Sequence, residues 1–144
     1  MSSDEQIKEI LSKYKTIAIV GISNTLGKPS HRVAAYLKQH GYNLIPVNPT
    51  IEEALCIKSY KSLLDIPAEI AKTIEVVDIF RKSEDVPPIV EQAIELKQRY
   101  GQPFVVWMQL DVKNEQAAEA ARKAGLVVVM DRCLMKEHLH LFPH

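Results

Sequence analysis

Four cations stand just past apolar runs: Lys28 and Arg32 after 16–20, and Arg81 and Lys82 after 74–80. Basic side chains at the mouth of a sheet bind anions, phosphate above all. Lys28 and Arg32 belong to the stretch GISNTLGKPSHR, which begins at Gly21. Its first residues are small or polar, and Pro29 suits the first turn of a helix. A strand that enters a helix through such a loop aims backbone amides and a helix N-terminus at one spot, which favours an anion. The spacing is neither GxGxxG nor GxxxxGK followed by Ser or Thr. Only Gly27-Lys28 fits a Walker loop, because Pro29 stands where the hydroxyl belongs. The loop is also longer than the about two to six residues of a bare strand-to-helix turn.

Other reactive residue types do not assemble into a catalytic set. His31 sits at the helix start as a phosphate contact, a general acid or a plain helix-face residue. Cys56 and Cys133 fit no CxxC or metal spacing. Cys133 follows the last apolar run and is either a partner for a ligand thiol or a buried thiol. His138 and His140 form an HxH, with His144 beyond, in a tail whose pattern suggests a final helical turn or two and whose end is expected to fray. No carboxylate or cysteine completes a convincing metal set there. Asp78 interrupts an apolar run, where it either accepts hydrogen bonds from loop amides or is paired in the core. Trp107, Met108 and Gln109 either touch a ligand or close the core. The expectation is binding without catalysis and without a metal.

These residues need elements to hold them. Ser3 and Gln6 mark a capping box for a first helix, with Ile7, Ile10, Leu11 and Tyr14 on one face. Apolar runs at 16–20, 42–47, 74–80, 103–108 and 126–130 read as strands. Helical patterns alternate with them, opened by Pro29, by Pro87 and by Asp111 or Asn114. Gly41, Gly101 and Gly125 stop them. Residues 59–64 suggest one short helical turn. The pattern predicts an α/β, Rossmann-like three-layer sandwich around a five-stranded parallel sheet. The simplest order with right-handed crossovers is 3-2-1-4-5, although Pro46 sits awkwardly in a central second strand. The strand order then reverses between the first and fourth strands, beside the Gly21 loop, where such sheets bind ligands. The chain, 1–144, reads as one domain.

Bulk composition narrows the partners. Lys plus Arg and Asp plus Glu both number 18, so the overall field attracts neither nucleic acid nor acidic membrane. No apolar run approaches the about 18 residues of a membrane span, and MSSDEQIKEILSKY lacks the core of a signal peptide. Two cysteines make no disulfide framework, so reduced thiols in the cytoplasm are expected.

The end of the second strand separates two nucleotide classes. A nicotinamide dinucleotide site wants a carboxylate there for the ribose diol. This chain has Val47, Asn48 and Pro49. An uncharged strand end suits a ribose that carries phosphate, such as the adenosine 3′-phosphate of coenzyme A. That molecule brings about four negative charges.

Seven landmarks run in order over nearly the whole chain: IAIVGIS (17–23), KPSHRV (28–33), GYNLIPVNP (41–49), SLLDIP (62–67), EVVDIFR (75–81), VVWMQ (105–109) and GLVVVMDRC (125–133). With them the chain resembles the small stand-alone CoA-binding proteins of bacteria and archaea. Their Rossmann-like domain also forms the CoA-binding part of succinyl-CoA synthetase alpha subunits and related acyl-CoA synthetases. The resemblance implies coenzyme A or acyl-CoA as ligand. It places the phosphates on Gly21, Ile22, Ser23, Lys28 and Ser30. Val47, Asn48 and Pro49 would border the adenosine, with Phe80 and Arg81 on its other side. Arg32 joins this set on charge and position. Three departures stand out: Ile22 where the family commonly has Ala, Cys56 near a usual glycine, and Leu110-Asp111 where a glycine often follows WMQ. The histidine-bearing domain of the synthetases has no counterpart here. Two alternatives stay open. One is an NAD(H)-binding redox sensor or oxidoreductase. The other is an accessory subunit of an acyl-CoA enzyme whose catalytic parts lie on another chain. A protein partner or a homo-oligomer is open under any of these readings.

Overall fold

A computed structural model of the protein describes residues 3–142. Helix α1 (Asp4–Lys13) starts where Ser3 Oγ accepts the Gln6 amide at 3.1 Å, and it buries Ile7, Ile10 and Leu11. The chain then runs through β1 (Thr16–Val20), α2 (Pro29–Gln39) and β2 (Asn43–Val47). A small ribbon follows, β3 (Glu53–Ala54) with β4 (Ile57–Lys58), and then a helical turn, α3 (Ala68–Ala71). The second half alternates β5 (Val76–Ile79), α4 (Val86–Tyr100), β6 (Val105–Met108), α5 (Glu115–Lys123), β7 (Val127–Val129) and α6 (Leu134–Leu141).

Five strands form one parallel sheet in the order β2-β1-β5-β6-β7. Both faces are covered, which is why every residue of β5 and β6 is buried and the strands lack alternation. On one face Val77, Val106 and Val128 pack with Val90, Ala93 and Leu96 of α4, and Ala117, Ala118 and Ala121 bring α5 in close. On the other, Ile17, Ile19 and Trp107 pack with residues of α1, α2 and α6. The Rossmann-like three-layer architecture is the expected one. Among the described residues no helix is long and apolar enough to cross a membrane.

The order departs from 3-2-1-4-5 in one respect. Counting the sheet strands alone it is 2-1-3-4-5: the third, β5, lies beside β1 and not outside β2. Pro46 gives the reason. Val47 O faces β1, where it accepts the Gly21 amide at 2.8 Å, so Pro46 faces outward. A further strand there would need an N–H that proline lacks. The Tyr60 segment covers this edge instead, donating its amide to Pro46 O and accepting one from Asn48. The reversal of strand order therefore lies between β1 and β5.

The sequence pattern did not announce the β3–β4 ribbon, and the tail packs more firmly than expected. The β3–β4 ribbon turns through Leu55 (φ 53°) and Cys56 (φ 63°), both left-handed, a turn that usually calls for Asn or Gly. The tail forms the helical turns its pattern suggests, as α6, and packs against the core where fraying was expected. His138 of α6 is buried, and its Nδ1 lies 2.6 Å from the Tyr36 hydroxyl. His140 meets Asp4, and His144 lies outside the described residues. Among the described residues no group of three His, Cys, Asp or Glu is placed to hold a metal ion.

Asp78 meets neither expectation. It is fully buried between Ile19 and Trp107 in register, and neither carboxyl oxygen has a hydrogen-bond partner among the described residues. Burial pushes its pKa well above the usual carboxylate range. The Ile79 amide opposes this weakly, without making a hydrogen bond to either oxygen. The folded carboxyl thus holds its proton more tightly than the unfolded one. The contribution of Asp78 to stability is fullest below the unfolded pKa of about 4 and falls as pH rises toward the folded value. Asp78→Asn keeps the shape and removes the titration. Its melting temperature relative to wild type is expected to climb between pH 4 and 7, the free-energy gap widening by up to about 1.4 kcal/mol per pH unit. A gap that stays flat in thermal melts across that range contradicts a neutral Asp78.

Candidate functional site

The carboxyl ends of β1, β5, β6 and β7 open into one cleft of about 1080 Å³. Its first wall is the loop after β1. Gly21 sits at φ +89°, and a Cβ there would lie 2.3 Å from the Phe80 carbonyl oxygen, so a side chain has no room. Beyond it, Ser30 Oγ accepts the Ser23 amide at 2.9 Å, and Ser23 Oγ accepts the Thr25 amide at 3.0 Å. The Asn48 side-chain NH₂ donates to Ile22 O at 2.8 Å, while its oxygen accepts from the Thr50 amide and hydroxyl. These bonds fix the loop from below and from the side.

The loop delivers the chain into α2 with Lys28 at its N-cap and Pro29 in the first turn. The Lys28 side chain makes no capping hydrogen bond. The first-turn N–H groups therefore keep their capacity for an outside acceptor, and the helix dipole adds partial positive charge at the same point.

The electrostatics agree. Lys28, Arg32, Arg81, Lys82 and Lys136 line the cleft against two carboxylates, Asp85 and Asp111. Arg81 and Asp85 pair at 3.6 Å, with both side chains exposed, a contact of little net energy. Among the described residues the other four cations have no ion-pair partner. The placement of β5 beside β1 is what brings Arg81 and Lys82 opposite Lys28.

The remaining wall comes from β6 and α6. Trp107 and Met108 are fully buried in the core, with Trp107 Nε1–H donating to Arg132 O at 2.7 Å. Gln109 lines the cleft, but its Oε1 already accepts the Leu134 amide, which fixes the start of α6. Leu110, Val112 and Met135 make this end apolar, and Cys133 lies there 8% exposed.

Of the residues singled out from the sequence, Gly21, Ser23, Lys28, Ser30, Arg32, Phe80 and Arg81 line this cleft together. Ile22, Val47, Asn48 and Pro49 do not. Ile22 and Val47 are buried, and Asn48 is spent on bracing the loop. His31 lines not the cleft but a neighbouring hollow of about 360 Å³, beside Leu26 and Tyr36, which shares Arg32 and Met135 with the cleft. Met135 and Lys136, which no motif singles out, reach the cleft from the first turn of α6.

Comparison with known proteins points the same way. Residues 15–139 match the CoA binding domain family CoA_binding_2. An uncharacterized protein of Bacillus subtilis (strain 168), YneT, is 39% identical over 136 residues, covering 94% of this chain and 94% of that protein. An ADP-forming acetate–CoA ligase of Methanocaldococcus jannaschii is 29% identical over 96% of this chain, which spans only 20% of the ligase. Among solved structures, a hypothetical protein from Pyrococcus horikoshii OT3 matches with a TM-score of 0.87 at 44% identity, covering 97% of this chain and 92% of that one. Since the matched region carries the Gly21 loop, the start of α2 and most of α6 in a single stretch, the chain belongs to the CoA binding domain family.

Proposed function

We propose that the cleft binds coenzyme A or an acyl-CoA, with the phosphates at the Gly21 loop and the N-terminus of α2. The observation that carries this reading is the uncapped start of α2 beside Lys28, Arg32, Lys82 and Lys136, which have no ion-pair partner among the described residues. A ligand with about four negative charges offsets that local surplus. Gly21, Ser23, Lys28, Ser30 and Arg32 are the contacts proposed for the phosphates, and Phe80 and Arg81 border the nucleotide. Ile22 and Asn48 act through the loop's shape and not as direct contacts. Val47 and Pro49 stand outside the cleft, next to Asn48.

Asn48 also weighs against a nicotinamide dinucleotide. Both ends of its amide are engaged within the protein, so the second strand ends without an acceptor free for a ribose diol. The similarity to one-fifth of a CoA ligase supports a second reading on the same ligand, in which the domain serves catalytic parts on another chain.

Two measurements test the proposal. In calorimetry with CoA, acetyl-CoA, NAD and NADH side by side, CoA or its thioester is expected to bind and raise the melting point, and the dinucleotides to bind far more weakly. Tight NADH binding with no CoA binding contradicts it. Lys28→Ala is expected to weaken CoA about 5- to 10-fold, the loss of one exposed charge-assisted contact, and to flatten the salt dependence of binding. Unchanged affinity removes Lys28 from the site.

A further inference from the structure

A second hollow, of about 640 Å³, adjoins the cleft. Leu110, Cys133 and Lys136 line both, so the two spaces meet across these residues. Val128 and Met130 supply apolar surface to the second space, and the cations Lys113, Arg122 and Arg132 reach it from α5 and the neighbouring loops. Nothing in the phosphate-binding role uses this space.

The sheet order sets how a ligand would run. The loop proposed for the phosphates follows β1, and β5, β6 and β7 come next in line. Neighbouring strands lie about 4.8 Å apart, so the end of β7 is about 14 Å from the end of β1. The extended pantetheine arm covers that span. A thioester whose phosphates rest on α2 would therefore carry its acyl group past Leu110 and Cys133, toward the end of β7.

The charges at that end are not balanced in effect. Three carboxylates line the second space, Glu115, Asp131 and Glu137. Asp131 Oδ1 accepts the Asp111 amide at 2.7 Å, and Glu137 pairs with Arg132 at 3.0 Å. Glu115 and Asp131, which keeps its charge while accepting that amide, are left against Lys113, Arg122 and Lys136. These three heads have no ion-pair partner among the described residues. An aliphatic acyl chain gains little from such a setting, whereas a terminal carboxylate meets cations on more than one side.

Resting on the CoA reading of the cleft, we infer that the second hollow receives the acyl group of a bound thioester and favours one that ends in a carboxylate. Succinyl-CoA and butyryl-CoA test this, since both carry four acyl carbons and differ at the terminus. Calorimetry on the full chain is expected to show succinyl-CoA bound ~5-fold more tightly than butyryl-CoA, the scale of a solvent-exposed charge pair. Arg122→Gln is expected to bring that ratio toward one, with CoA itself as the internal reference for an intact cleft. Equal affinity of the two thioesters for the wild-type protein, with CoA still bound, overturns the acyl assignment and leaves the CoA reading standing. A ratio that survives in Arg122→Gln and also in Lys113→Gln overturns it as well. Failure of CoA and of both thioesters to bind refutes the CoA reading and this inference with it.

Discussion

The loop after β1 depends on one close approach. Gly21 turns at a left-handed φ with the Phe80 carbonyl so near that any Cβ would overlap it. That contact couples the ends of β1 and β5 where the strand order reverses. It allows the chain to leave the sheet at once, cross to Lys28 and enter α2 with its first turn facing the cleft. The cation placement follows from the same junction, since residues 80–82 extend directly from β5. An alanine at position 21 would need both a strained backbone and a displaced neighbour.

Several other residues serve this junction without lining it. Asn48 grips the loop carbonyl of Ile22 from the end of β2, so a strand-end residue that elsewhere reads a ribose here shapes the backbone. Pro46 keeps β2 at the sheet's edge, which leaves the place beside β1 to β5. Gln109 and Trp107 hold the segment leading into α6, and so position Cys133, Met135 and Lys136 at the far wall. Asp78 is the exception: a carboxyl buried under the site with no hydrogen-bond partner among the described residues, a cost to stability.

Much of this was legible in the sequence because burial on both faces forces continuous apolar strands, and because proline and glycine punctuate the helices. The loop itself stood out by its length and by Lys28-Pro29. The strand order did not follow, since the spacing of elements fits more than one doubly wound arrangement. The deciding signal was a single missing N–H at Pro46. Asn48 was legible as important but not as a brace, because its partner, the Ile22 carbonyl, lies 26 positions away in the chain. The β3–β4 ribbon escaped notice since Leu55 and Cys56 hide a turn that Gly or Asn would have announced. The tail's histidines suggested a frayed end, yet His138 is buried against Tyr36 and makes α6 part of the cleft.

In the proposed complex the amides at the start of α2 and around Gly21 cradle phosphate. Backbone amide NMR during a CoA titration addresses it residue by residue. The largest shifts are predicted at residues 21–23 and at Ser30 and His31, smaller with adenosine than with CoA. If saturating CoA leaves those amides unmoved while the β3–β4 ribbon or the outer faces of the helices respond, the ligand sits elsewhere and the account is wrong.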